Sequence, residues 1–305
     1  MQGRLATLTL FTLMAFAANS ILCRLALLPD PGLADGEVAG SIDAGSFTIL
    51  RIGSGALVLV AVSSMRGGGT GGAGGAGGAG SLLSFTRRDF FAGAMLFIYM
   101  ASFSLAYLRL GAGLGALVLF GAVQVTMLTA AVLGGERFGV IGWTGFAIAL
   151  GGLVWLVYPG TTAPDPLATA SMAAAGIAWG FFSLSGRGTS APLLSMTRAF
   201  LLNVPAAIVF LAVYAAVAEL GVTLPGLLLA LASGGLASGL GYVIWYSVLP
   251  ELGAGRAATV QLAVPAIAAA VGVVLIGEPL TQRLILSSLA VLGGVFLVLR
   301  ARRPA

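Results

Sequence analysis

Residues 110–152 read LGAGLGALVLFGAVQVTMLTAAVLGGERFGVIGWTGFAIALGG, and residues 252–294 read LGAGRAATVQLAVPAIAAAVGVVLIGEPLTQRLILSSLAVLGG. Both stretches open on Leu-Gly-Ala-Gly, close on Leu-Gly-Gly and carry Gly-Glu at the same internal position, Glu136 in the first and Glu278 in the second. Each pattern recurs after 142 residues, from Leu110 to Leu252, from Glu136 to Glu278 and from Leu150 to Leu292. Three ungapped matches at one offset predict that the chain contains two copies of one structural unit.

The composition places both copies in a membrane. Hydrophobic residues make up 59% of the 305 residues, charged residues make up 8%, and the mean hydropathy is +1.06. A soluble domain carries about 25% charged residues, so a water-soluble globular protein is excluded. A membrane-spanning helix needs about 20 apolar residues, and ten such helices with short loops would use almost the whole chain.

The hydrophobic runs predict ten spans, five in each copy. They cover residues 5–28, 46–65, 89–108, 112–134, 138–158, 167–186, 192–218, 224–249, 254–277 and 280–299. Because five is odd, the second copy must enter the membrane from the opposite side to the first. The predicted fold is therefore an all-α integral membrane protein whose ten transmembrane helices form two inverted-topology five-helix repeats around a central cavity, an architecture common among secondary transporters.

The predicted domains are residues 1–160 and 161–305. Within the first, residues 66–88 form a loop whose glycine-rich part, GGGTGGAGGAGGAG, matches GxGxxG formally. Neither a strand before it nor a helix start close after it is predicted, so we interpret the stretch as a flexible linker rather than a phosphate-binding loop.

Arginine placement predicts the orientation. With the N-terminus in the cytoplasm, ten arginines lie on the inner side, and the outer loops hold only Arg109 and Arg283. Loop 29–45 carries four acidic residues and no basic one, and the chain ends on Arg302 and Arg303 beyond an even number of spans. The positive-inside rule then predicts a multi-pass protein of a bacterial-type inner membrane with both termini cytoplasmic.

Residue types that are absent narrow the chemistry. The chain has no histidine, no lysine and one cysteine, Cys23. Histidine acid–base catalysis, histidine metal ligation, a Schiff base and an internal disulfide are therefore excluded. We predict no enzymatic activity, no metal and no cofactor. The arginines sit mostly at helix ends rather than in one cluster, so we predict no nucleic-acid partner.

The repeat resembles a known family. Ten spans in two five-span repeats, with Gly-Glu closing spans 4 and 9 and Gly-Gly inside spans 5 and 10, are similar to EamA-type members of the drug/metabolite transporter superfamily. Arg51 and Arg198, early in spans 2 and 7, fit its pattern, and the aromatic spans 3 and 8 are most similar to its bacterial aromatic amino acid exporters. The resemblance implies an inner-membrane exporter whose cavity is lined mainly by spans 1, 3, 4, 6, 8 and 9.

Polar and aromatic groups deep in these spans are the candidate substrate contacts, because lipid cannot satisfy a polar group. The candidates are Asn19, Tyr99, Phe103, Gln124, Trp179, Phe182, Tyr242, Trp245 and Gln261. For the three amides, a helix-to-helix hydrogen bond is the alternative role. For Tyr107, Trp245 and Tyr246, near predicted span ends, the alternative is an aromatic belt at the membrane interface.

Four further residues are candidates for moving or closing parts. Pro265 interrupts span 9 and is a candidate hinge, since broken helices recur near transporter sites. Glu136 and Glu278 close spans 4 and 9 at opposite faces and are candidate gates. Arg51 is predicted near the outer end of span 2, where its side chain either snorkels toward the headgroups or pairs with a carboxylate.

The predicted function is alternating-access export of amino acids, aromatic and other neutral ones, or of related small metabolites. The expected partners are that small-molecule substrate and the lipid bilayer. A multidrug or organic-cation exporter of the same fold is the first alternative, and a membrane scaffold that transports nothing is the second. No carboxylate is predicted at the membrane centre, so a carboxylate proton relay is not visible and facilitated diffusion remains open.

Overall fold

The structure is a computed structural model of the 305-residue chain. It describes residues 2–28, 42–67, 82–134, 139–158, 163–186, 189, 191–261 and 263–301. Over these residues the fold is helical, and its single β-bridge joins Ile42 to Val222.

Ten helices follow one another along the chain. They are α1 (Gln2–Leu27), α2 (Ala44–Gly67), α3 (Arg87–Tyr107), α4 (Ala112–Leu133), α5 (Val140–Val157), α6 (Pro166–Ser185), α7 (Pro192–Ala215), α8 (Leu224–Leu231, then Ala232–Leu240 in π-helical form, then Gly241–Gln261), α9 (Ala263–Val271, then Gly272–Ile276 in π-helical form) and α10 (Gln282–Ala301). Each helix overlaps one predicted span, except that α8 also covers the first residues, 254–261, of predicted span 9.

Seven helices are long and apolar enough to cross a membrane, and three shorter apolar helices cover Val140–Leu156, Ala263–Ile276 and Gln282–Leu297. Large apolar side chains lie exposed on the outside of the bundle, among them Leu57, Leu133 and Leu167 at 74%, 83% and 81%. Such surfaces would be unfavourable in water and suit lipid. The prediction of an all-α multi-pass membrane protein is therefore confirmed.

The boundary between spans 8 and 9 differs from the prediction. Residues 250–253, predicted as a loop, belong to the helical stretch Gly241–Gln261. The chain still reverses direction between Val222 and Glu278, because both of these residues lie beside the end of α1. Val222 bridges Ile42, whose amide donates to the Ala26 carbonyl, and Glu278 pairs with Arg24.

The bundle has two ends, which α3 defines. The Asp89 end holds the start of α3, where Thr86 and Asp89 form a capping box, together with Arg198 of α7. The Glu278 end holds the last residue of α3, Tyr107, together with Arg24, Ala112 and Glu278. The 21 residues of α3 separate the two ends by roughly 30 Å at 1.5 Å per residue.

The helices α5 and α10, the predicted fifth spans of the two copies, pack against each other in opposite directions. A Cβ added to Gly152 of α5 would lie 2.7 Å from the Ala290 Cβ, and one added to Gly294 of α10 would lie 2.6 Å from the Ala149 amide nitrogen. The two helices are therefore antiparallel, because the later residue of α5 contacts the earlier residue of α10. Gly152 and Gly294 are the last glycines of the two Leu-Gly-Gly patterns, so the shared pattern marks a reciprocal close contact of the two helices.

Candidate functional site

The centre of the bundle holds a buried arginine. Arg51 of α2 has 0% exposure. Its Nε donates to the Ser238 hydroxyl at 3.2 Å, and its Nη2 donates to the hydroxyls of Tyr99 and Tyr242, both at 3.1 Å. The guanidinium also lies over the Phe103 ring, 4.7 Å from its centroid. Neutral hydroxyls and aromatic faces therefore surround the positive charge.

Glycines bring α2 against the π-helical part of α8 and so position these contacts. A Cβ on Gly234 would overlap with the Arg51 carbonyl oxygen and the Ser54 hydroxyl, and a Cβ on Gly55 would lie 3.1 Å from the Gly234 carbonyl oxygen. Because neither glycine carries a side chain, the two backbones touch. Gly234 itself belongs to the π-helical segment Ala232–Leu240, and π-helical turns are frequent at functional sites.

Asn19 of α1 joins the same hydrogen-bond network. Its Oδ1 accepts hydrogen bonds from the hydroxyls of Ser233 at 2.9 Å and Ser238 at 3.2 Å. Ser238 thus accepts from Arg51 and donates to Asn19. The Nδ2 of Asn19 is buried and has no hydrogen-bond partner. Asn19 therefore fixes two serines of α8 and keeps two N–H donors unused.

An aromatic cluster fills the space beside Arg51. It comprises Phe16, Tyr99, Phe103, Trp179, Phe182, Tyr242 and Trp245, from α1, α3, α6 and α8, all buried. The Trp179 ring is central, with centroids 4.9 Å from Tyr99, 4.8 Å from Tyr242, 5.5 Å from Phe182 and 5.8 Å from Phe16. Its indole Nε1 has no hydrogen-bond partner. Two halves of the chain, α1 with α3 and α6 with α8, thus supply one cluster.

The structure brings together seven of the predicted contact residues: Asn19, Tyr99, Phe103, Trp179, Phe182, Tyr242 and Trp245. Gln124 is buried in α4, at 1% exposure. Gln261 is buried near the end of α8, its Oε1 lacks a hydrogen-bond partner, and it takes no part in the ring contacts. Pro265 is buried in α9, seven residues before the π-helical segment Gly272–Ile276 begins.

Two interpretations from the sequence are wrong. Tyr107, Trp245 and Tyr246 are buried at 0%, 1% and 5% exposure, so they do not form an interfacial belt. Each ring packs against another aromatic ring inside the bundle instead. Arg51 neither snorkels nor pairs with a carboxylate among the described residues. The close contact of α2 with α8 at Gly55 and Gly234 holds its guanidinium against the hydroxyls of Tyr99 and Tyr242 instead.

A cavity at the Asp89 end reaches the aromatic cluster. It has a volume of about 240 Å³, and its walls include Asp89 and Arg198, which pair at 3.4 Å, and the rings of Phe182 and Tyr246. Phe182 belongs to the cluster and packs against Trp179 and Tyr246. A small molecule in this cavity would thus be one ring away from Trp179.

The Glu278 end is tied together by one carboxylate. Both oxygens of Glu278 lie 2.8 Å from the Ala112 amide nitrogen at the start of α4, and one lies 3.4 Å from the Arg24 Nε. Arg24 Nη1 also donates to the Tyr107 carbonyl at 2.9 Å. The Glu278 network therefore joins α1, α3, α4 and the end of α9, with the carboxylate at the positive end of the α4 dipole.

A second cavity, also of about 240 Å³, lies at this end beside Arg24, Glu278 and Arg283, and no ring of the aromatic cluster is among the described residues that line it. Glu136, the predicted gate of the first repeat, lies outside the described residues.

Comparison with known proteins identifies the family. Residues 167–300 match the model of the EamA-like transporter family. The chain is also 46% identical over 300 residues to the uncharacterized protein PA1977 of Pseudomonas aeruginosa, and this match covers 98% of the chain and 96% of that protein. The second half of the chain, residues 167–300, is thus an EamA-like transporter domain. An EamA-like transporter sits in a lipid bilayer and moves small molecules, so the predicted superfamily and the predicted transporter class are confirmed at this level.

The fold of this EamA-like protein is also seen in a solved structure. A crystal structure of a protein that is 16% identical matches with a TM-score of 0.66 and covers 100% of both chains. A likeness at this identity shows the shared fold alone.

Sequence reasoning assigned Arg51 only to the periphery and missed Phe16 and Ser238. The signal for Arg51 was present, because an arginine within the apolar run 46–65 without an acidic residue nearby is costly in a membrane and marks a functional position. Phe16 and Ser238 carry no such signal. They matter only because α1 and the π-helical turn of α8 meet beside Arg51.

Proposed function

We propose that this EamA-like protein is a secondary transporter that exports amino acids, aromatic and other neutral ones, or related small metabolites across the inner membrane by alternating access. The observation that carries the proposal is the buried aromatic cluster between helices of both halves, beside a cavity that opens at one end of the bundle. The lining of this cavity is mostly polar, and Phe182 and Tyr246 are its aromatic residues. Aromatic and apolar walls with a few polar groups suit medium-sized, largely apolar solutes, and the cluster would supply such walls if it opened to the cavity.

Two inverted-topology repeats give a route for alternating access. The antiparallel contact of α5 with α10 through repeat-equivalent glycines supports this arrangement. So does the pair α2 and α7, in which Gly55 lies against Phe200 while Ser63 bonds Thr197 at 3.0 Å, so that the numbering rises along one helix as it falls along the other.

The proposed gates lie at the two ends. The Glu278 network holds one end together while the cavity at the Asp89 end approaches the cluster, and in the predicted orientation the Asp89 end is cytoplasmic. This is the conformation in which an exporter would receive its substrate. The repeat offset assigns to Glu136 the equivalent gate at the other end, with Ala254 in the place of Ala112, and Pro265 is the proposed hinge in α9.

The test is transport by purified protein in liposomes. Labelled phenylalanine, tyrosine and leucine are offered with and without an imposed pH gradient, and unlabelled amino acid inside the vesicles drives counterflow. Saturable counterflow is expected. Trp179→Ala should reduce it at least about tenfold, because the variant removes the ring at the centre of the cluster.

Trp143→Ala is the matched control, because Trp143 is 51% exposed on the outside of α5. Its counterflow should equal that of the unmodified protein. Absence of counterflow for all amino acids, or equal loss in the two tryptophan variants, would contradict the proposed substrate site. Flux that follows the pH gradient would add proton coupling to the proposal.

A further inference from the structure

We propose that Arg51 is the docking point for a carboxylate, and that the transported substrates are monocarboxylates with an apolar or aromatic body. The inference rests on the proposed transport function and specifies the chemical group that the site recognises. Under this inference, the carboxylate of an amino acid is essential for binding and its ammonium group is not.

Unused hydrogen-bond donors belong to Arg51 and to two residues that contact its neighbours, Asn19 through Ser238 and Trp179 through Tyr99 and Tyr242. The Nη1 of Arg51, the Nδ2 of Asn19 and the Nε1 of Trp179 are buried and have no hydrogen-bond partner. Buried polar groups are normally bonded, so three unbonded donors joined by one network of contacts call for an explanation. A ligand that brings only acceptors into this region would satisfy them.

The two tyrosines add a fourth donor. The Tyr99 and Tyr242 hydroxyl oxygens both accept from Arg51 Nη2, and they lie 3.1 Å from each other. Each hydroxyl has one hydrogen, and only one of the two hydrogens can lie between the oxygens, because a second one there would repel the first. The other hydrogen is left to point elsewhere. The region therefore offers four kinds of donor, whereas the acceptors Asn19 Oδ1 and Ser238 Oγ are already in use.

The charge balance indicates an anion. The ion pairs of the described residues join Arg24 to Glu278, Arg109 to Asp165 and Arg198 to Asp89, and none involves Arg51. A further described carboxylate, Asp43, caps α2 at the Ser46 amide. A guanidinium buried in a membrane protein without an acidic partner is costly, and a substrate carboxylate would neutralise it through the paired bonds that this group favours.

The neighbouring rings define the rest of the substrate. Tyr99, Trp179 and Tyr242 enclose the same region, and Phe182 separates it from the cavity at the Asp89 end. A single guanidinium matches one negative charge, and the aromatic faces match an apolar body. An organic cation would instead place positive charge beside Arg51 with no described carboxylate to compensate it.

Binding measurements with three ligands of one skeleton test the inference. They are 3-phenylpropanoate, which has only the carboxylate, phenylalanine, which has both charges, and phenethylamine, which has only the ammonium. Tryptophan fluorescence of the purified detergent-solubilised protein reports binding without requiring transport. We expect the two carboxylates to bind at least about tenfold more tightly than phenethylamine, the smallest effect of losing a hydrogen-bonded charge pair.

Two arginine variants locate the effect. Arg51→Gln should abolish the preference for the carboxylates, and Arg51→Lys should weaken it, because lysine lacks the planar fork. Arg109→Gln is the control, since Arg109 is 71% exposed and pairs with Asp165 at the surface. If the Arg51 variants do not fold, Tyr242→Phe, which removes one hydroxyl, replaces them and should reduce the preference.

Either of two results overturns the inference: phenethylamine binding as tightly as 3-phenylpropanoate in the unmodified protein, or an unchanged carboxylate preference in the variants. The counterflow assay tests the proposed transport function independently of these binding measurements. Counterflow of amino acids without a role for Arg51 would keep the transporter and reject the docking point. Carboxylate binding at Arg51 without counterflow would keep the docking point and reject the transport function.

Discussion

Glu278→Gln tests whether the Glu278 network holds one conformation of the transporter. The substitution keeps the size of the side chain and one oxygen for the Ala112 amide. It removes the negative charge that pairs with Arg24 at 3.4 Å and faces the start of α4. If this network forms only while the Glu278 end is closed, its loss shifts the protein toward the conformation in which that end is open.

The magnitude follows from the burial of the pair. The side chains of Arg24 and Glu278 are 16% and 15% exposed, so their interaction is neither fully screened nor fully desolvated. A partly buried charge at a helix N-terminus contributes up to about 2 kcal/mol, and a charged hydrogen bond is about twice as strong as a neutral one. A loss of about 2 kcal/mol changes a conformational equilibrium roughly 30-fold.

Cys23 provides the assay. It is the single cysteine of the chain, it is fully buried, and it precedes Arg24 in α1. Labelling by a water-soluble maleimide therefore reports how often this part of α1 becomes accessible. We expect the labelling rate of Glu278→Gln to exceed that of the unmodified protein by about 10-fold to 30-fold, since rate follows the open population when opening is fast.

Glu219→Gln is the control, because it removes an exposed carboxylate from the segment between α7 and α8, two residues before Gly221. Its labelling rate should not change. A thermal melt of each variant separates opening from general unfolding. If Glu278→Gln melts normally and labels at the unmodified rate, the network does not hold the Glu278 end closed and the reasoning is refuted.

Two smaller predictions concern stability. Gly152→Ala should lower the free energy of unfolding by about 1–3 kcal/mol through overpacking, because its Cβ would meet Ala290. Gly151→Ala should be neutral or mildly stabilising, because no atom lies within 4 Å of its added Cβ. Thermal melts in detergent compare the two variants, and an equal loss of stability in both would contradict the packing argument. The pKa of the Asp165 carboxyl is lowered from its ordinary value of 3.8, chiefly by the Ala168 amide that donates to it and also by Arg109. The stability from this cap is therefore present above about pH 4 and is lost as the pH falls through the lowered pKa, so the melting difference between the unmodified protein and Asp165→Ala should disappear there.

The helices were predictable because their signal is local. About 20 apolar residues bounded by polar ones define a span wherever the span packs. The offset of 142 residues likewise predicts two related halves without any structural information. The end of span 8 was less predictable. Pro250, Gly253 and Gly255 suggest a loop in the sequence, yet residues 241–261 are helical.

The site was predictable only where the residue type itself is unusual in lipid. Asn19, Tyr99 and Trp179 were found because polar and aromatic groups in mid-span need a reason. The depth of Arg51 was not found, because depth was judged by distance from a predicted helix end. The structure shows that the packing of neighbouring helices determines how deeply Arg51 is buried. The contact of Gly55 with Gly234 brings Ser238 and Tyr242 against Arg51 and separates it from the membrane surface.

Arg51 and Arg198, which lie early in predicted spans 2 and 7, illustrate why similar positions in the two predicted copies do not imply equal roles. Arg198 pairs with Asp89 at 3.4 Å, in a contact whose side chains are 15% and 9% exposed, whereas no ion pair of the described residues includes Arg51. A double-mutant cycle separates the roles. Asp89→Asn and Arg198→Gln should each destabilise the protein, and the double variant should lose less than the two losses combined, with a coupling energy of about 1–2 kcal/mol.

The same cycle applied to Asp89 and Arg51 should give a coupling energy near zero, because the two residues share no contact and belong to different parts of the bundle. Strong coupling there would mean that Asp89 compensates the charge of Arg51 in another conformation. The substrate carboxylate would then have a competitor inside the protein. Near-zero coupling leaves the charge of Arg51 to be neutralised by what the transporter binds, so the asymmetry between the halves becomes the basis of substrate recognition.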